Sequence, residues 1–138
     1  MKKVLIGSIA VFLTLEVLDI IIHGVILMNT YAAMHDVWRT DMMQKMWIMH
    51  PVKMVVAFFF SLIFSKGYEG KGIMEGVRYG FYFGMIMSCS FAFNSYASYA
   101  IPYGLALKWF VFALIEYLLA GVVLAMVFGQ KKETVPQK

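Results

Sequence analysis

The chain has 138 residues, of which 62% are hydrophobic, 17% aromatic and only 14% charged. Soluble domains carry about 45–50% apolar and about 25% charged residues, and so short a chain cannot bury this apolar excess in a core surrounded by water. The composition excludes a disordered chain, a collagen-like fibre and an ordinary water-soluble enzyme, and it predicts one domain in a membrane.

Net charge and cysteine content narrow the function classes further. The formal net charge is +4, from 12 Lys and Arg against 8 Asp and Glu. No soluble stretch interleaves basic with aromatic side chains, so we expect no nucleic acid among the partners. The single cysteine, Cys89, rules out an intrachain disulfide and a thiolate metal cage. There is also no GxSxG motif and no Cys–His pair with an orienting acid, so we name no catalytic residue and favour a protein that is not an enzyme.

Four apolar segments are long enough to cross a bilayer as helices, which takes about 20 residues. We therefore predict an all-α integral membrane protein, an antiparallel four-helix bundle that forms a single transmembrane domain over residues 1–138. The predicted spans are residues 4–28, 47–64, 76–99 and 105–128. An outer loop at 29–46 and a cytoplasmic tail at 129–138 complete the chain.

The distribution of Lys and Arg between short loops predicts the orientation of such a bundle. With the N-terminus inside, most basic residues fall on the inner side; they are Lys2, Lys3, Lys66, Lys71, Arg78, Lys131, Lys132 and Lys138. The outer side then holds Arg39, Lys45, Lys53 and Lys108. All three tryptophans fall at the outer interface, as in an aromatic belt. Both termini are therefore predicted to be cytoplasmic.

Ionisable residues lie inside the predicted spans. Glu16, Asp19 and His23 are spaced i, i+3 and i+7 along the first span, on one face of a helix. A charge near the bilayer centre costs about 2.5–3.5 kcal/mol on insertion scales, so this face needs polar partners. Glu116 lies near the middle of the fourth span, and His50 opens the second. We predict that these five residues line an ion or proton pocket that opens towards the outer side.

A second interpretation of the same residues is purely structural. Asp19 with Lys53, or Glu116 with Lys108, would form an internal ion-pair network that only fixes the helices relative to one another. Lys53 and Lys108 would alternatively be anchors whose ammonium groups reach the membrane surface.

Small residues recur every four positions along the third span; they are Gly72, Gly76, Gly80, Gly84 and Ser88. This spacing gives a stripe along one side of a helix, which we call the glycine ridge. Such stripes let a second helix backbone approach closely in lipid. The ridge is therefore predicted to pack helices, either within the bundle, with the fourth span around Gly121 as its partner, or between protomers.

Methionine is frequent, with 12 residues, and several lie in the predicted outer loop. Met42 and Met46, one helical turn apart, resemble the MxxxM element of copper-uptake channels, whose spans also carry GxxxG, although those channels have three spans. Thioether and imidazole ligands favour copper(I), so His23, His50, Met42 and Met46 are candidate ligands of copper or zinc. Haem between His23 and His50 is a second candidate cofactor. The alternative is that methionine serves as a flexible hydrophobic residue on a surface helix.

The whole layout resembles that of small four-span membrane proteins of bacteria. The matching stretches are EVLDIIIHGVIL, YAAMHDVW, GKGIMEGVRYGFYFG and FALIEYLLAGVVLA. This resemblance implies four spans and the bacterial inner (cytoplasmic) membrane, and it implies no particular activity. From the pocket residues we predict a protein that binds or translocates a small cation or proton. The alternative is a non-catalytic accessory or assembly subunit, which packs through the glycine ridge in a homo-oligomer or a larger membrane complex.

Overall fold

A computed structural model describes residues 1–129, and the predicted cytoplasmic tail beyond Gly129 lies outside these residues. The described part is helical and contains no strand, which confirms the all-α class there. The helices are α1 (Lys2–Ile21), α2 (Met28–Ala32), α3 (Met42–Lys45), α4 (Met49–Gly67), α5 (Ile73–Ser98) and α6 (Tyr103–Phe128). A π-helical turn at Ile22–Ile26 continues α1, and 3-10 turns cover His35–Val37 and Met46–Ile48.

Three helical stretches within residues 1–129 are long and apolar enough to cross a membrane: Lys2–Ile26, Met42–Gly67 and Tyr103–Phe128. Large apolar side chains also remain exposed along one side of α1; they are Leu5, Ile9, Leu13, Val17 and Ile20. Monomeric soluble proteins rarely expose contiguous apolar surface of this kind, so the chain has the character of a membrane protein. α5 is as long as α6, but it is not among these three stretches because its composition is less apolar.

α5 and α6 are antiparallel and make the closest helix pair. Gly76 lies against the backbone of Gly121, and Gly80 lies against the backbone of Tyr117. A Cβ atom at either glycine would overlap a backbone carbonyl oxygen of α6, so only glycine permits this approach. Gly84 and Ser88 continue the buried stripe along α5. The glycine ridge therefore faces α6 of the same chain.

Gly72, which the sequence pattern places at the start of the ridge, has a different role. It precedes α5 with φ of +85°, a backbone conformation that favours glycine, and Gly70 has the same φ. These residues form the turn between α4 and α5. The carboxylate of Glu75 accepts hydrogen bonds from the backbone N–H groups of Glu69 (2.5 Å), Gly70 (3.0 Å) and Lys71 (2.8 Å). The first residue of α5's buried stripe thereby supplies hydrogen-bond partners for the backbone of the turn.

α1 packs against both α4 and α6, with Val11 and Leu15 buried between Ala57 on α4 and Leu124 on α6. α4 reaches α5 through aromatic rings instead of close backbone contact. The ring centroid of Phe60 lies 4.6 Å from that of Tyr79 and 4.9 Å from that of Phe83. The Tyr79 hydroxyl also donates a hydrogen bond to the backbone carbonyl of Phe60, at 2.7 Å.

The two ends of the molecule differ. At the base, where α1 begins and α6 ends, Lys3 Nζ donates a hydrogen bond to the carbonyl of Phe128, at 2.6 Å. At the opposite end, residues 27–48 form the rim segment, whose Leu27 is buried and packs in one cluster with Ile101 and Trp109. The rim segment corresponds to the predicted outer loop. It does not project from the bundle but packs onto the ends of the helices.

Candidate cation site

The polar face of α1 lies between α4 and α6, at the level of the middle of α6. Glu16 and Asp19 project from α1 itself, and His23 belongs to the π-helical turn that follows. π-helical turns insert an extra residue into a helix and are frequent at functional sites. His23 Nε2 lies 3.6 Å from Asp19 Oδ1, so the turn presents both side chains on one side of the helix.

Lys53 on α4 balances the two acids of α1. Its Nζ lies 3.2 Å from Glu16 Oε1 and forms an ion pair with Asp19 Oδ2. His50 contacts the same Glu16 oxygen through Nδ1, at 2.9 Å. The Lys53 side chain is only 15% exposed, so its ammonium group lies within the helices and does not reach the surface. Of the two roles that the sequence suggests for Lys53, partner of Asp19 or surface anchor, the geometry matches the first. Its simultaneous contact with Glu16 is not evident from the sequence.

Glu116 on α6 completes the site. It is 8% exposed, and its Oε1 has no hydrogen-bond partner in the described part of the chain. One ligand atom each from Asp19, His23 and Glu116 lie within 4.8 Å of one another. We call these three residues the triad. Buried polar atoms are nearly always hydrogen-bonded, so the free oxygen of Glu116 calls for a specific explanation.

The rim segment closes the site through Tyr31. The Tyr31 hydroxyl lies 2.5 Å from His23 Nδ1 and accepts a hydrogen bond of 2.7 Å from Trp109 Nε1. Trp38 Nε1 donates to the backbone carbonyl of Tyr31, at 3.1 Å. Burial raises the pKa of Tyr31 to about 12, so the phenol remains protonated at neutral pH. Sequence reasoning missed Tyr31; the only available signal was its place among the aromatic residues of the predicted outer loop.

The residues predicted as a copper or zinc set are not brought together as predicted. His23 belongs to the triad, whereas His50 faces Glu16. Met42 and Met46 are exposed on the rim segment. The two imidazoles considered for haem each face a different carboxylate, His23 that of Asp19 and His50 that of Glu16.

The triad offers one imidazole and two carboxylates, a donor set suited to holding a small cation. Lys53 is engaged by Glu16 and Asp19, and no Lys or Arg nitrogen within residues 1–129 lies in salt-bridge distance of Glu116. Glu116 is thus the acid of the site that forms no ion pair with a Lys or Arg among residues 1–129. No protein-family model, no curated protein and no solved structure matches the chain.

Proposed function

We propose that this chain is a multi-pass protein of the bacterial inner membrane that binds and translocates a small cation or a proton through the pocket of Glu16, Asp19, His23, His50 and Glu116. In this proposal α1, α4, α5 and α6 all cross the membrane as an antiparallel four-helix bundle, with both termini in the cytoplasm. The excess of Lys and Arg on the inner side supports this orientation. The rim segment then faces outward, and a cation enters from that side.

The observation that carries the proposal is the unpartnered Oε1 of Glu116. This carboxyl group lies in the middle of α6, beside Asp19 and His23, and is 8% exposed. Ionisable groups inside membrane segments are costly and usually mark ion or proton pathways. A purely structural network would be expected to satisfy every buried oxygen, as Lys53 does for Glu16 and Asp19. Glu116 instead keeps a buried oxygen without a hydrogen-bond partner, which a cation could contact.

The alternative, an accessory or assembly subunit, receives less support from the geometry. Its predicted docking surface was the glycine ridge, and Gly76, Gly80 and Gly84 lie against α6 of the same chain. A partner or a second protomer would therefore have to bind another surface.

Cation flux into liposomes tests the proposal. Purified protein is reconstituted with trapped dyes that report protons, sodium or zinc, and a potassium gradient with valinomycin drives uptake. We expect uptake of at least one of these cations above the rate in protein-free liposomes, and we expect Glu116→Gln to abolish the excess, because the amide cannot carry the charge that holds the cation. Asp36→Asn, at an exposed carboxylate outside the pocket, is the matched control and keeps full flux.

Two results would contradict the proposal. One is the absence of uptake of all three cations by protein that keeps its helical content and elution volume. The other is flux that Glu116→Gln and Asp36→Asn leave equally unchanged.

A further inference from the structure

The spacing of the triad is compatible with a bound metal ion. In a tetrahedral zinc site, metal–ligand bonds of about 2.0–2.2 Å place neighbouring ligand atoms about 3.4 Å apart. His23 Nε2 and Asp19 Oδ1 already lie 3.6 Å apart. The ligand atoms of all three residues lie within 4.8 Å of one another.

In Asp19 and His23, one of the two possible ligand atoms is already engaged by a neighbouring residue, which leaves the other one available. Lys53 takes Asp19 Oδ2, so Oδ1 remains available. Tyr31 takes His23 Nδ1, so Nε2 remains available. Glu116 contributes one carboxylate oxygen, and its Oε1 is buried and without a hydrogen-bond partner. This third observation is independent of the clustering of acids.

Charge balance favours a divalent ion. The site contains the carboxylates of Glu16, Asp19 and Glu116 and the single ammonium group of Lys53. Charge that is left uncompensated inside a membrane is expensive. With both imidazoles neutral and all three carboxyl groups ionised, one divalent cation brings the net charge of the whole site to zero, whereas a monovalent cation leaves one negative charge.

The ligand types select among divalent ions. Calcium and magnesium prefer oxygen ligands alone, and copper(I) prefers sulfur, whereas imidazole together with carboxylate suits zinc and its neighbours in the first transition row. A metal-bound histidine usually donates its other ring N–H to an acceptor that fixes its orientation. The Tyr31 hydroxyl oxygen, 2.5 Å from His23 Nδ1, is placed to be that acceptor.

We propose that Asp19, His23 and Glu116 form a binding site for a divalent transition-metal ion of the zinc class, with Tyr31 as the residue that positions His23. This inference rests on the proposed function, because it names the cation that the pocket takes. Three protein ligands leave a fourth position open for water, as is usual where a zinc ion remains exchangeable with solvent or substrate.

Zinc titration of the purified 138-residue chain tests the site. The protein is prepared in detergent with an affinity tag that lacks histidine, stripped with a chelator and titrated with Zn²⁺ in a calorimeter. We expect one ion per chain and a loss of affinity of more than about 100-fold in Glu116→Gln and in His23→Gln, beyond the 10–100-fold typical of residues outside the ligand shell. The matched control is the double variant His35→Gln/Asp36→Asn, which removes an exposed His–Asp pair with an Nδ1–Oδ1 distance of 2.9 Å. It is expected to bind zinc as the unmodified chain does.

X-ray absorption at the zinc edge keeps the proposal testable even if the variants fail to fold. The unmodified protein is expected to show one nitrogen and two or three oxygen ligands and no sulfur. Sulfur in the ligand shell, binding that only the His35/Asp36 variant removes, or no binding at all would each overturn the metal site. Proton or sodium flux that needs Glu116 without zinc binding overturns the metal site and leaves the proposed function. Zinc binding by the triad without flux of any tested cation supports the site and overturns translocation.

Tyr31→Phe separates positioning from folding. The variant removes the acceptor for His23 Nδ1 but keeps the ring that packs against Trp38 and Trp109. Zinc affinity is expected to fall by about 10-fold or more, while the first-shell X-ray absorption spectrum and the stoichiometry stay unchanged. A lower unfolding midpoint with unchanged zinc affinity would assign Tyr31 a structural role only.

Discussion

Replacing Gly80 with alanine is expected to lower the free energy of unfolding by about 1–3 kcal/mol, the usual cost of overpacking. The new Cβ would overlap the carbonyl oxygen of Tyr117 and lie 3.1 Å from Leu118 Cα. These are backbone atoms, which cannot rotate away as a side chain can, so α5 and α6 must separate. Reversible unfolding in mixed micelles, followed by circular dichroism, measures the change.

Gly104→Ala is the matched control for this prediction. Gly104 also lies in a long helix, but a Cβ there meets nothing within 4 Å. Alanine has the higher helix propensity by up to about 1 kcal/mol, so this variant is expected to be neutral or slightly more stable. Equal effects of the two substitutions would contradict the close contact of α5 with α6. A bulky residue at position 80 would separate α5 from α6. If such a variant lost a binding partner, the loss would therefore not show that the partner docks on the glycine ridge.

Replacing Lys53 with methionine is expected to lower the free energy of unfolding by up to about 3 kcal/mol, because removing one partner of a fully buried ion pair costs about 3–5 kcal/mol and these side chains are partly exposed. Methionine keeps most of the side-chain volume but removes the ammonium group that contacts both Glu16 and Asp19. Two carboxylates then remain without that neutralising charge between packed helices. Unfolding in mixed micelles at neutral pH gives the loss directly.

Neutralising the acids as well provides the decisive comparison. The triple variant Glu16→Gln/Asp19→Asn/Lys53→Met removes all three charges and is expected to recover most of the stability that Lys53→Met alone loses. Lys108→Met, at an exposed lysine of α6, should change stability little. If the triple variant were no more stable than Lys53→Met, the side-chain volume of the lysine would matter and its charge would not.

Much of the helical layout could be predicted from apolar content and length. The fourth predicted span, 105–128, differs from α6 by only two residues at its start. The boundaries of α1 were harder, because the apolar run to residue 28 does not reveal the change to a π-helical turn at Ile22–Ile26. His23 in this turn contacts Tyr31, a contact that no local sequence pattern reveals. The membrane orientation stays a prediction.

The residues of the site could be predicted in part, because local sequence patterns reveal some of them and do not reveal how the helices pack. Glu16, Asp19 and His23 fall on one face by helical periodicity, and Glu116 stands out as an acid within an apolar run. Which of these residues converge depends on the offset between helices, and this offset is set by packing between residues far apart in sequence. It places His50 beside Glu16 and leaves Asp19 and His23 to meet Glu116.

The interfaces around the polar face differ in stiffness. α5 and α6 touch backbone to backbone at Gly76 and Gly121, and neither helix can slide along the other without steric collision. α4 meets α5 through the rings of Phe60 and Tyr79, which can change torsion while they remain in contact. We therefore expect α5 and α6 to act as a fixed frame that holds Glu116 in place. Motions that widen access to the triad are therefore expected in α4 and the rim segment, which would move relative to α5 and α6.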